Sequence, residues 1–311
     1  TQPAVWVAEQ ASAIAQAAKD FELTGSDEGL SASRAVGDEV AALEQRIANP
    51  ASAWRLTTGF PDVDRKVLGM ERGEYWLLGA RPSMGKTAMS LQIAAAACDQ
   101  GARVSFFSLE QRTSRIMQRM LSQVSQVEFA AIRTAANFND NMVRNINRAQ
   151  DAIGKWNLTI RDQPMMKPSA IRAAAARDKS RHGLDLVIVD HLHHVRPDER
   201  SDSRYVQVSS ISKAFKAMAK DLDCPVLLCA QLSRDAHDAS RPPSLRHLRD
   251  AGTLEEDCDV CLLIHRPGYY MTDDDGSAQV AVAKARDGEV GPVPLVWRSK
   301  VLRFENKGYG R

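Results

Sequence analysis

Apolar and polar positions along the chain fall into blocks that switch between helical and strand periods. Residues 4–19 are Ala-rich and read as helix, and Thr24–Gly29 reads as a polar break. Val36, Val40, Leu43 and Ile47 then recur at helical spacing as a narrow apolar stripe, and Asn49-Pro50 stops that helix. So narrow a stripe needs a partner surface. Periodicity leaves open whether that surface lies on its own domain or on a neighbouring subunit. After Trp54–Glu74, strands and helices alternate. Tyr75–Leu78 has the length of a buried strand, and Thr87–Cys98 carries Met89, Ile93, Ala96 and Ala97 at helical spacing. Further strands are expected at Arg103–Leu109, Leu158–Arg161, Leu184–Asp190, Pro225–Ala230 and Val260–His265, with helical patterns over 112–153, 169–181 and 205–222. Val280–Ala285 and Val293–Trp297 flank Asp287-Gly288, a hairpin signal. The pattern predicts an α/β fold: a mostly parallel twisted sheet flanked by helices, closed by a C-terminal antiparallel hairpin and preceded by a helical linker. A boundary near residue 50 divides the chain into 1–50 and 51–311.

Composition changes this picture little. A chain of 311 residues can bury a full core, and a net charge of +2 argues neither for nor against a nucleic-acid partner. No apolar stretch approaches the ~18 residues of a membrane span, so no membrane partner is expected. The N-terminus, Thr1-Gln2-Pro3, has neither the basic start nor the apolar core of a signal peptide. It also lacks an initiator Met, which reads as the C-terminal part of something longer. Cys258-x2-Cys261 invites a zinc reading. Residues three apart on a strand face opposite sides, however, and free thiols in a reducing cytoplasm are the expectation for all five cysteines.

The chemistry centres on Arg81-Pro82-Ser83-Met84-Gly85-Lys86-Thr87-Ala88, between the first strand and its helix. Strand, glycine-containing loop and helix N-terminus make a P-loop: backbone N–H groups cradle phosphates, Lys86 reaches the β- and γ-phosphates, and Thr87 holds Mg²⁺. Ala80 stands where the first glycine of that motif is usual. Leu186-Val187-Ile188-Val189-Asp190 fits the second nucleotide motif, a buried strand delivering an acid that holds Mg²⁺ through water. Glu110, closing the strand Arg103–Leu109, is either a base for the attacking water or a solvated residue near a helix start. Gln231 is either a γ-phosphate sensor or an ordinary loop residue. Lys284 and Arg286 share one face beside the hairpin turn. They hold either a phosphate of a neighbouring subunit or nothing but water, and spacing alone favours a solvated, edge-protecting pair.

The stretch Arg241 to Gly252, with Arg246, His247, Arg249 and Asp250, is a basic loop that either offers cations and N–H groups to nucleic-acid phosphates or is solvated. No aromatic residue is interleaved, so base stacking is not indicated. His191, His193 and His194 look like a metal cluster. His193 and His194 diverge on an extended chain, however, and Asp190 is committed to Mg²⁺, so no histidine metal site is expected. Asp273-Asp274-Asp275-Gly276 reads as a solvated loop tip.

Together these stretches resemble the C-terminal ATPase domain of DnaB-type replicative helicases, over roughly residues 54–306. The resemblance is carried by Thr58-Gly59-Phe60 with Asp64, the Arg81–Thr87 loop, Ser108-Leu109-Glu110, Asp190, and Gln231-Leu232-Ser233-Arg234. It continues through Arg241 to Gly252, Glu255 to Asp259, Lys284-x-Arg286-x-Gly288 and Arg303-Phe304-Glu305-Asn306. It implies a RecA-like core in a homohexameric ring around single-stranded DNA, with ATP and Mg²⁺ at subunit interfaces. It also implies 5′-to-3′ translocation, unwinding at the fork, and residence in a bacterial cytoplasm or, for a phage protein, that of its host.

Carried over position by position, Lys86 and Thr87 bind phosphate and Mg²⁺, Glu110 is the base, and Asp190 supports the metal. Gln231 links phosphate state to the DNA loops, Lys284 and Arg286 act in trans, and Arg249, Asp250 and Gly252 lie on the DNA-binding loop. Residues 30–47 match the linker helix that docks on the adjacent subunit, and a helicase loader is a further partner. His191-Leu192-His193-His194 departs from the usual Tyr-Leu-Gln, and Asp250 stands where Glu is common. The family's N-terminal helical domain, which meets primase, is absent or reduced to residues 1–19, which argues against primase binding by this chain alone. Two other readings stay open: a RecA-like recombinase filament, and a non-catalytic ring or loader-binding module that holds nucleotide for assembly.

Overall fold

A computed structural model describes residues 31–49, 55–199, 201–232, 241–248, 251–270 and 274–307. They belong to two units, divided after residue 54. In the first, α1 (Ala32–Ala48) starts at Ser31, whose side chain accepts from the Arg34 N–H, and ends at Asn49 ahead of Pro50. Its stripe is exposed: Val36 by 63%, Val40 by 48%, Leu43 by 49% and Ile47 by 72%. The helical segment expected over 4–19 lies outside the described residues.

The second unit opens with the short helix α2 (Pro61–Val67) and is built on one nine-stranded sheet in the order β3-β2-β4-β5-β1-β6-β7-β8-β9. The strands are β1 (Tyr75–Ala80), β2 (Arg103–Ser108), β3 (Asn157–Arg161), β4 (Leu186–Asp190), β5 (Val226–Gln231), β6 (Val260–His265), β7 (Ser277–Ala285), β8 (Gly291–Arg298) and β9 (Arg303–Asn306). From β3 to β6 all neighbours are parallel, and from β6 to β9 they are antiparallel. The expected α/β architecture is therefore observed. Strands β1, β4 and β6 are buried at every position, as parallel strands covered on both faces must be. One core cluster joins Leu77, Val187 and Leu228 of the sheet to Ile171 of α7 (Pro168–His182) and Phe215 and Met218 of α8 (Arg204–Asp221). β1 is separated from β2 by β5 and β4, and ligands of open α/β sheets bind at the carboxyl ends of strands beside such a reversal.

The helical patterns expected over 112–153 are observed as three helices, α4 (Thr113–Ser125), α5 (Phe129–Thr134) and α6 (Asp140–Ile153). The breaks fall at Gln126 and Ala135, whose left-handed backbones have φ of 58° and 54°. The antiparallel part is larger than a hairpin, because β9 adds to β8. Its four residues bury only Phe304, too little to stand out as a pattern. The parity argument does not separate Cys258 from Cys261, because Cys258 precedes β6 and the two thiols share a hydrogen bond. All five cysteines are free and buried. Asp274 and Asp275 are exposed, as a loop tip should be, but Asp274 also pairs with the buried Arg266 at 2.8 Å. Gly252 lies in the helix α9 (Ala251–Asp257) and not in irregular loop. Among the described residues no helix is long and apolar enough to cross a membrane.

Candidate functional site: a nucleotide pocket at the carboxyl edge of the sheet

The continuous apolar run of β1 delivers residues 81–85 to the carboxyl edge of the sheet, and α3 (Lys86–Asp99) leaves from there. The turn needs left-handed backbone at Ser83 (φ 62°) and Gly85 (φ 97°). At Gly85 space also decides. A Cβ there would lie 2.8 Å from Cζ of Phe304, so β9 packs directly on the loop. Gln92 of α3 fixes that packing, donating to the Phe304 carbonyl and accepting its N–H, both at 2.8 Å. Met84, 1% exposed, anchors the loop, while Pro82 and Ser83 face outward.

Arg266, directly after β6, is a residue that sequence reasoning missed. It is 4% exposed and lies 4.6 Å over the Trp297 ring, and it donates to the Ser83 carbonyl at 3.4 Å. Burial pulls its pKa below the ordinary arginine value, and Asp274 opposes that. Its one signal in the sequence is a cation placed directly against an apolar strand.

β4 brings Asp190, 1% exposed, to the loop. The Thr87 hydroxyl donates to Asp190 Oδ2 at 2.6 Å. The other oxygen, Oδ1, is buried and has no hydrogen-bond partner among the described residues. The Leu109 N–H donates to the Asp190 carbonyl at 2.8 Å, which ties the end of β2 to that of β4 and sets Glu110 at the rim. Glu110 Oε2 lies 3.3 Å from His191 Nδ1, and the Glu110 side chain is half-exposed. Burial, then the charge of Lys86 and the neighbouring histidines, push the His191 imidazole down to about 2, so it is neutral at ordinary pH.

A cavity of about 500 Å³ is lined by Arg81, Pro82, Ser83, Gly85, Lys86, Thr87 and Ala88 of the loop, together with Glu110, Gln231, His191 and His194. Arg119 of α4, also unforeseen, lines it as well. Its Nε donates to Gln111 at 3.1 Å, and burial draws its pKa down. An amphipathic surface helix gives no sequence signal that one of its arginines turns inward.

Other candidates lie elsewhere. Lys284 donates to the carbonyls of Glu255 and Glu256 at the C-terminal end of α9. Arg286 donates to the Glu256 carbonyl at 3.2 Å and pairs with Asp259 at 3.3 Å. Neither is among the lining residues of this chain's own cavity, and within the chain both cap a helix end, with the Arg286 side chain still half-exposed. Of the basic stretch, Arg241 and Arg246 are exposed. Leu245–His247 form a short 3-10 turn, and Leu248 is buried and bridges to Leu232. Arg249 and Asp250 lie outside the described residues.

A glycine-bent phosphate loop after β1, an acid from β4 bonded to the loop threonine, and this strand order define a RecA-like P-loop nucleotide-binding core. The profile of the DnaB-like helicase C terminal domain matches residues 55–306, and the chain belongs to that family. The replicative DNA helicase DnaB of Rickettsia felis is 30% identical over 302 residues, covering 87% of this chain and 61% of that protein. The DnaB of Buchnera aphidicola subsp. Acyrthosiphon pisum is 33% identical over 279 residues, covering 86% and 60%. The chain thus spans about three-fifths of the length of these relatives. Among solved structures, an ATPase domain aligns at a TM-score of 0.81 and 29% identity, over 91% of this chain and all of that one. A DnaB-like replicative helicase, in a structure describing its interactions with primase, aligns at 0.82 and 28%, over 98% of this chain and 74% of that one.

Proposed function

We propose that this chain is the ATP-hydrolysing motor of a replicative DNA helicase, moving 5′-to-3′ on single-stranded DNA as a homohexameric ring in the cytoplasm. The observation that carries this reading is the Thr87–Asp190 hydrogen bond, with the partnerless Asp190 Oδ1 beside it and Glu110 across the same cavity. An orphaned, buried carboxylate oxygen next to a threonine hydroxyl fits Mg²⁺ and its waters. Thr87 and Asp190 would hold that ion, and when bound it offsets charge on the phosphates.

The chain's own residues supply the rest. The loop N–H groups and Lys86 bind the phosphates, and Arg119 adds a cation. Glu110 takes the proton from the water that attacks the terminal phosphorus, and the bond to the bridging oxygen breaks with its electrons going to ADP. Gln231, at the end of β5, contacts the terminal phosphate and passes its presence to the loop that follows. Lys284 and Arg286 reach the nucleotide of the adjacent subunit. Their absence from the lining of their own cavity supports that assignment.

The exposed stripe of α1 supports docking of residues 30–47 on a neighbour, and the linker and motor divide near residue 50. Arg241 and Arg246, with Arg249, Asp250 and Gly252, form the contact to DNA phosphates. A helicase loader and primase are partners of the family reading alone.

ATPase rates with and without single-stranded DNA, measured alongside native mass, test the proposal. DNA-stimulated hydrolysis in a species of six chains is expected. Nucleotide binding without hydrolysis would favour a non-catalytic ring module, and open filaments in electron micrographs would favour a recombinase.

A further inference from the structure

His193 and His194 were expected to diverge along an extended chain, which spoke against a histidine metal site, but the chain there is not extended. Leu192–His194 form a 3-10 turn, closed by the His194 N–H donating to the His191 carbonyl at 3.0 Å. Such a turn brings residues three apart to the same side. The two imidazoles consequently meet edge-on, with ring centroids 4.7 Å apart.

Glu110 approaches from the end of β2, its Oε2 3.3 Å from His191 Nδ1. One donor atom from each of Glu110, His191 and His194 lies within 4.8 Å of the others. Ligand atoms around a tetrahedral ion with ~2.1 Å bonds stand about 3.4 Å apart. The Glu110–His191 edge already has that length, the half-exposed Glu110 can move to shorten its edge to His194, and a rotation of the His194 ring closes the third. A second observation points to a ligand independently. His191 is 5% exposed, yet its Nδ1 has no hydrogen-bond partner among the described residues. A buried ring nitrogen left without a partner is costly unless something binds it.

We propose that Glu110, His191 and His194 form a binding site for a divalent transition metal of the zinc class, and that filling it withdraws Glu110 from ATP hydrolysis. Two imidazoles and one carboxylate suit Zn²⁺, Co²⁺ or Ni²⁺, whereas Mg²⁺ takes oxygen ligands. The site is thus chemically distinct from the pair Thr87 and Asp190, although both open on one cavity. Lys86 and Arg119 line that cavity too and oppose a dication, so binding is weaker than at a structural zinc site. A reversible site is what a regulatory ion requires. The inhibitory half rests on Glu110 being the base, and the binding half does not.

The test titrates the full chain with Co²⁺ in chelator-treated buffer free of nucleotide and Mg²⁺, following visible d–d absorption. One Co²⁺ per chain is expected, displaced by Zn²⁺, without the near-ultraviolet thiolate band that the cysteines would give. His194→Ala should weaken Co²⁺ binding by at least ~10-fold. Glu110→Gln alters a half-exposed side chain and should weaken it comparably without disturbing packing. In the Mg²⁺–ATP hydrolysis assay, Zn²⁺ should inhibit the wild type, and His194→Ala should need correspondingly more Zn²⁺ for half-inhibition. Absent cobalt bands, or bands unchanged in both variants, overturn the site. Normal cobalt binding with hydrolysis indifferent to Zn²⁺ overturns the inhibitory role. Full Mg²⁺–ATP hydrolysis by Glu110→Gln without added Zn²⁺ defeats the base assignment instead and leaves the cobalt result standing.

Discussion

Thr87 and Asp190, 103 residues apart in sequence, share a 2.6 Å hydrogen bond across the carboxyl edge of the sheet. The strands that deliver them are not neighbours, since β5 runs between β1 and β4. The bond therefore reports the register of three strands at once. A slip of one residue in any of them would turn its side chains to the other face.

Glu110 can be separated from binding. Glu110→Gln should bind ATP nearly normally and hydrolyse it at least ~100-fold more slowly, the usual scale for loss of a general base. Equilibrium nucleotide binding and single-turnover hydrolysis check this, and wild-type turnover would remove Glu110 from the mechanism.

Arg286 and Lys86 should fail on opposite sides of one interface. Arg286→Ala should keep ATP binding and lose ~10³–10⁵ in hydrolysis rate, as when an arginine finger is removed. Lys86→Ala should lose productive binding. Mixed before assembly, the two variants create some interfaces with an intact Lys86 facing an intact Arg286. Those should recover single-turnover hydrolysis, and no recovery would end the trans assignment.

Val40 and Leu43, each about half exposed on α1, test assembly. Changing both to Asp would bury unpaired charge in any docked interface. The double variant should remain folded by circular dichroism, sediment as a monomer and show little ATPase activity. Intact rings would mean that the stripe docks on no neighbour.

Acid should destabilise the second unit through Asp185 and Asp178. Burial pushes both carboxyls up, but Arg103 on Asp185, and Arg161 with Ser105 on Asp178, outweigh it and hold them below the ordinary aspartate value. Arg103 Nε lies 2.6 Å from Asp185, and Arg161 Nη2 lies 2.6 Å from Asp178. Between the folded and unfolded pKa values the unfolded chain binds more protons, so stability rises with pH there. The contribution is complete above about pH 4 and is lost as pH falls through the folded values. Asp185→Asn should flatten the fall in Tm below pH 4. At pH 7 it should cost about 1 kcal/mol, or a few °C, because the Arg103 side of the pair is 43% exposed and screened by solvent. Parallel Tm–pH curves for variant and wild type would refute this.

The parts of the site legible in the sequence are those built on unbroken apolar runs. Tyr75–Leu78 and Leu186–Val189 can only be covered strands, so the loop after one and the acid ending the other have to meet at one edge. Residues whose surroundings come from distant segments were not legible. Arg266 reads as a surface cation until Trp297 and Asp274 close on it. His191 and His194 converge only because the chain turns between them, in a stretch without glycine or proline to announce it. Gln126 and Ala135 likewise end helices in left-handed backbone that neither residue type advertises. Lys284 and Arg286 do share one environment, as their spacing implied, but it is the end of α9, which the strand pattern does not reveal.

The ring of Phe304 against Gly85 also has a meaning for biosynthesis. The phosphate loop is translated early, whereas the aromatic wall that closes on it belongs to the final strand of the sheet. A nascent chain emerging from the ribosome can assemble β1 to β6 and still hold that loop unbacked. A chain cut short before Phe304 would carry the phosphate loop, Glu110 and Asp190 without that wall.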